Sequence, residues 1–206
     1  MHKIEALPLP PKALNLQGIT PKQIKPHYAD LYLGYVNRIN EIRAMLKGGV
    51  DNPLVFRGLK VEETYNLDGV KLHEMYFYNL NRQGGEPDPA LIAELEDNFG
   101  SYDKWLQDFI NTGMAARGWT VLAYDPRDNG LHNFLLDAHN VGVISNWIPL
   151  LVLDVYEHAY YIDFGTAKRA YIDAFINNID WQVVNARFQG LSLSRQADNP
   201  EGRQNG

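Results

Sequence analysis

The octet Asp154-Val155-Tyr156-Glu157-His158-Ala159-Tyr160-Tyr161 closes the longest apolar run of the chain, Ile148 to Leu153. An aspartate at the end of such a run carries a large desolvation cost unless something cationic meets it. Two partners are open. His158, four residues on, pairs with Asp154 if the segment is helical. Alternatively, Asp154 and His158 converge on one metal ion, with His27 and His73 supplied by two N-terminal helices. Three imidazoles and one carboxylate suit iron, manganese or zinc rather than calcium or magnesium, which favour all-oxygen shells. Taken singly, His27 and His73 read as hydrogen-bonded core histidines.

Working outward, Pro149 to Val155 reads as a buried strand. Trp119 to Tyr124 and Leu131 to Leu136 are strand-like on either side of the turn signal Asp128-Asn129-Gly130, which predicts a hairpin. Before them, Asp88-Pro89 opens a short helix closed by Gly100, and Ser101 caps another carrying Tyr102, Trp105 and Phe109. After them, Ala170 to Ile179 has helical spacing. The N-terminal half is helical throughout. Thr20-Pro21-Lys22-Gln23 combines an N-cap, a first-turn proline and a capping-box glutamine, and Ile24, Leu31, Tyr35, Ile39, Ile42 and Leu46 continue the pattern to Gly48-Gly49. His27 and Tyr35 then sit roughly 80° apart, both bordering the apolar side. Leu67, Val70, His73, Phe77 and Leu80 mark a second helix, which fades into the Gly- and Pro-rich stretch Arg82 to Pro89. That stretch divides the chain into 1–85 and 86–191, with a polar tail at 192–206 expected to be disordered. Helices followed by a small antiparallel sheet predict an α+β fold.

Composition narrows the function. The chain has 206 residues, 45% hydrophobic, 12% aromatic and 21% charged, which is enough to bury a core. A formal charge of -6 with no basic block argues against a nucleic-acid partner. Cysteine is absent, so disulfides, thiolate metal sites, iron–sulfur clusters and thiol nucleophiles are excluded. Prolines at 8, 10 and 11 break any signal-peptide apolar core, and no apolar run approaches the ~20 residues that span a bilayer. A cytoplasmic protein with no membrane segment is expected.

These residues resemble the iron/manganese superoxide dismutases. Asp154 to Tyr161 is similar to that family's DVWEHAYY at seven of eight positions, and the likeness continues through Ile162-Asp163-Phe164 to Tyr171. Tyr35-Val36-Asn37 looks like the family's YVN, with His27 at the matching distance. His73-Glu74-Met75-Tyr76-Phe77 stands at its HSLFW and Gly118-Trp119 at its GSGW, so the resemblance covers roughly residues 16 to 190.

The resemblance implies an N-terminal antiparallel helical hairpin and a C-terminal α/β domain with a three-stranded antiparallel sheet. Between them it implies one metal held by His27, His73, Asp154 and His158, with solvent as fifth ligand. It further implies a homodimer in which Glu157 reaches His158 of the partner subunit. Dismutation of superoxide is the implied activity. The alternatives are a metal-binding homologue with weak or no dismutase activity, another non-haem iron enzyme, or a structural zinc protein.

The outer sphere departs from the common pattern. Tyr156 and Phe77 replace two tryptophans, Leu31 stands at a gateway histidine, and Asp30 stands at a common lysine. The glutamine that hydrogen-bonds the bound solvent is missing from both its usual places, which hold Gly69 and His139. Tyr35 and His139 are therefore the implied catalytic pair, with Lys168 a source of positive potential. Val152 stands where manganese members carry glycine, which favours one iron ion per subunit over manganese.

Overall fold

The computed structural model describes residues 2–197. The N-terminal arm lies along the helices, with Ile4 N–H donating to Asn40 Oδ1 and Leu7 N–H to the Tyr32 hydroxyl. Thr20 then caps α1 (Pro21–Pro26), its hydroxyl oxygen accepting from Lys22 N–H. Gln23 does not close a capping box. Its amide reaches across the molecule, donating to the His158 carbonyl at 2.5 Å and accepting from Ile162 N–H at 2.9 Å. The Thr20 N–H goes instead to Asp163, which also takes the Thr20 hydroxyl proton. The start of the first helix is thus tied to the segment carrying His158.

A π-helical turn (His27–Tyr32) follows, leading into α2 (Leu33–Gly48). The wider turn advances the helical phase, so that Tyr32 rather than Leu31 enters the core, while Leu31 stays half-buried. Such turns are concentrated at functional sites. After a connection at Gly49–Asn52, α3 (Pro53–Tyr78) packs back along α2. Leu80 lies beyond its end, bridged to Ile179.

The second half begins with α4 (Pro89–Phe99) and α5 (Tyr102–Ala115), the latter capped by the Ser101 hydroxyl. Strands β1 (Trp119–Asp125), β2 (Gly130–Leu136) and β3 (Ile148–Asp154) form an antiparallel sheet in the order β2-β1-β3. Asn129 takes a left-handed conformation in the β1–β2 turn, as its Asn-Gly signal predicts. A 3₁₀ turn (Glu157–Ala159), α6 (Tyr161–Phe164), α7 (Lys168–Ile176) and α8 (Trp181–Ala197) complete the chain. Of the segment read as a tail, 198–206 lie outside the described residues and 192–197 end α8. The fold is α+β. One apolar core runs through both halves, from Ile39 and Val70 on the helices to Trp119, Leu122 and Val152 on the sheet.

Candidate metal centre

Four elements bring the candidate ligands together. His27 opens the π turn, His73 lies in the last third of α3, and Asp154 ends β3 just before the turn holding His158. In the sheet register Trp119 faces both Leu136 and Asp154. Gly118 makes this closeness possible, since a Cβ there would stand 2.9 Å from the Leu136 carbonyl oxygen. The Asp154 backbone is held by the Tyr171 hydroxyl, which donates to its carbonyl at 2.7 Å. Its Oδ1 accepts from Tyr156 N–H at 2.9 Å.

That leaves Asp154 Oδ2 facing three imidazoles. Nε2 of His27, His158 and His73 stand 3.1, 3.2 and 3.6 Å from it. One donor atom from each of the four residues falls within 4.8 Å of all the others. Ligands at right angles on one ion, with bonds of ~2.0–2.2 Å, lie about 3.0 Å apart, so the spacing suits a shared cation.

His73 separates a metal centre from a set of ion pairs. Its Nδ1–H donates to the Gly69 carbonyl at 2.6 Å, and burial drives its pKa well below the ordinary histidine value. A neutral imidazole with a protonated Nδ1 presents a lone pair at Nε2. That lone pair is buried, has no hydrogen-bond partner among the described residues, and faces the carboxylate. Two electron-rich atoms so placed repel unless a cation lies between them. Burial also lowers the His27 pKa. Burial by itself would raise the Asp154 carboxyl, but His158 and His27 outweigh it and hold the group below the usual carboxylate range. His158 is raised, the pull of Asp154 exceeding the cost of its own burial.

Aromatic rings close the site. Phe77 and Tyr76 stand 5.1 and 5.2 Å from His27, Trp119 4.9 Å from His73, and Tyr156 stacks on His158 at 5.1 Å. Tyr35 lies 5.2 Å from His73 and 4.7 Å edge-on to His139. His139 is fully buried and accepts the Trp119 indole N–H at Nδ1, 2.9 Å away. This bond fixes the tautomer: the neutral ring, favoured by burial that takes its pKa down to about 4, carries its proton on Nε2. Nε2 is buried without a partner among the described residues. Asn140 pins this loop to α3, donating to the Thr64 hydroxyl.

Gly69 and His139, the two positions that lack the expected glutamine, are in contact. A Cβ on Gly69 would stand 3.2 Å from His139 Cδ2. They compete for one space, and the imidazole fills it because residue 69 has no side chain. Tyr65 also belongs here, its ring 4.5 Å from that of His139. It stands four residues before Gly69 and eight before His73, a spacing that places all three along one side of α3. Asp30 is exposed, Leu31 half-buried and Glu157 exposed. Lys168 is neither a free surface charge nor aimed at the site, for its ammonium donates to the carbonyls of Met114 and Ala116 at the end of α5.

A profile described as iron/manganese superoxide dismutases, C-terminal domain, matches residues 87–187. The chain is 43% identical over 195 residues to a superoxide dismutase [Fe] of Aquifex pyrophilus, covering 90% of this chain and 92% of that protein. To a superoxide dismutase [Fe] of Cupriavidus metallidurans it is 38% identical over 190 residues, covering 89% and 95%. To superoxide dismutase [Mn] 1 of Halobacterium salinarum it is 33% identical over 193 residues, covering 92% and 96%.

Proposed function

This chain belongs to the iron/manganese superoxide dismutase family, and we propose that His27, His73, Asp154 and His158 hold one iron ion per subunit as its redox centre. Its activity is dismutation: two superoxide ions and two protons become dioxygen and hydrogen peroxide. The observation that carries the ligand assignment is the unpartnered lone pair of His73 facing the Asp154 carboxylate across 3.6 Å. When bound, the ion supplies the one-electron exchange by alternating between two oxidation states.

The protein's own residues supply the rest. Asp154 offsets the charge of the ion and, anchored by Tyr156 N–H and the Tyr171 hydroxyl, keeps its carboxylate at the centre. His73, pinned by the Gly69 carbonyl, presents Nε2 in the required tautomer. The aromatic wall of Tyr76, Phe77, Trp119 and Tyr156 limits water. His139 and Tyr35 are the catalytic candidates: Nε2–H of His139 is a donor with no acceptor among the described residues, suited to an oxygen species admitted to the site, and Tyr35 flanks it.

Iron over manganese rests on Val152, buried in β3 two residues before Asp154, and on the two iron enzymes at 43% and 38% identity. A homodimer is proposed through Glu157, whose exposed carboxylate would meet His158 of the partner subunit. No helix among the described residues is long and apolar enough to cross a membrane. A cytoplasmic setting is proposed, since a chain without cysteine needs no oxidising compartment. The division at residues 85 and 86 is likewise proposed, supported by the profile match beginning at 87.

The test is superoxide decay with purified iron-loaded and manganese-loaded protein, each with its metal content measured. The expected result is rapid decay with iron. A metallated protein that leaves the decay rate unchanged would make the chain a metal-binding homologue without effective activity. Activity with manganese alone would overturn the choice of iron.

A further inference from the structure

Tyr65 binds the parts of the inner wall to one another. Along one side of α3, Tyr65, Gly69 and His73 follow at four-residue steps, and the gap at Gly69 admits His139 between the two larger rings. The Tyr65 ring lies 4.5 Å from His139 on one side of the gap, and His73 lies 5.7 Å from it on the other. Tyr65 is also 6.1 Å from Tyr35, edge-on at 69°. Its hydroxyl lies beside those of Tyr35 and Tyr156 and adds to burial in raising the pKa of both. Tyr35 and Tyr156 each touch His139 in turn, at 4.7 and 5.2 Å. The His139 ring therefore has one hydrogen bond among the described residues, from Trp119, and three phenol rings around it, of which Tyr65 stands beside the other two.

We propose that Tyr65 is the positioning residue of the site, holding Tyr35, Tyr156 and His139 in one arrangement and thereby setting how a small anion is received beside His139. The inference rests on the metal-centre reading above and adds a residue that touches the catalytic candidates rather than the ligands. A merely structural tyrosine at a half-buried position would lose little on replacement by phenylalanine, because packing is kept and water takes the place of the hydroxyl. A positioning residue would not behave so, because the hydroxyls of Tyr35 and Tyr156 would each lose the polar neighbour beside them.

The test compares wild type with Tyr65→Phe, which keeps the ring and removes the hydroxyl. Iron-loaded protein is titrated with azide, a small anion, and the pH dependence of kcat and of KM is followed separately. Full-length protein loaded with diamagnetic zinc is used to read the ¹⁵N shifts of the His139 ring by NMR. Expected are equal metal content and thermal midpoint, an azide Kd altered two- to tenfold, the scale of one net hydrogen bond, a displaced pH profile, and moved His139 shifts. Wild-type azide affinity, pH profile and ring shifts together would overturn the proposal. If iron-loaded wild type fails to dismutate superoxide, the functional reading falls, while the azide titration and ring shifts still decide the role of Tyr65.

Discussion

Replacing Gly69 by alanine sets two effects of known size against each other. In a helix interior alanine is favoured over glycine by ~1 kcal/mol, and Gly69 lies well inside α3. Against this, the new Cβ would stand 3.2 Å from His139 Cδ2 and 3.2 Å from both Cδ1 and Cγ of Tyr35. Carbon atoms pack best about 3.5–4.0 Å apart, so both rings must withdraw by a few tenths of an ångström. Neither is free to do so, with His139 held by the Trp119 indole and Tyr35 packed against the Tyr65 ring. Overpacking of this kind costs ~1–3 kcal/mol. The expected net is a loss of ~0–2 kcal/mol, with the displacement falling on the two catalytic candidates. Urea unfolding followed by circular dichroism gives the first quantity, and hydrogen exchange at the Trp119 indole reports the second. Gly69→Ala is expected to lower the urea midpoint or leave it unchanged, and to speed indole exchange. A variant stabilised by the full ~1 kcal/mol, with indole exchange as in wild type, would refute the close approach of α3 to the His139 loop.

Asp154→Asn removes the negative charge facing the three imidazoles, and metal binding should weaken by at least ~100-fold; full metal content after dialysis would count against the ligand set. Glu157→Ala should lower both dimer stability and metal retention, and sedimentation at low concentration with metal analysis checks the pair. His139→Gln should change the acid response of the metal-free chain. In the wild type the folded pKa of about 4 lies below the ~6.5 of an unfolded histidine, so the unfolded state takes up the proton first and stability falls as pH drops through that window. The variant should flatten that slope by up to ~1.4 kcal/mol per pH unit, while Asp154, whose pKa lies lower, keeps its contribution throughout. Urea unfolding at several pH values reads the difference, and identical slopes would show that His139 is not the group responsible.

Several features were legible in the sequence because their causes are local. The Asn129-Gly130 turn needs a left-handed residue, the Ser101 cap needs a hydroxyl at the entrance to α5, and the apolar run before Asp154 needs a buried strand. The candidate ligands were legible in two steps: a carboxylate placed at the end of a core strand demands a cationic partner, and the resemblance carried by the motifs around His27 and His73 implies that they share it. Gln23 misleads because its local pattern is that of a capping box, whereas its amide is taken by His158 and Ile162, more than a hundred residues away. The phase of the first helix misleads similarly, for nothing between His27 and Tyr32 announces a π turn.

The sequence by itself thus determined most of the helices and the sheet, which follow from local pattern, while the four donors were legible through the motifs that carry the family resemblance. Only the tertiary structure decided what surrounds them. Gly69 and His139 are seventy residues apart, and their sharing of one space follows from the packing of a loop against α3. The ring cluster at Tyr65 depends on that same packing, and Lys168 caps α5 because the α5 end lies beside it. Such contacts are set by how elements of distant sequence meet, a relation that no local periodicity encodes.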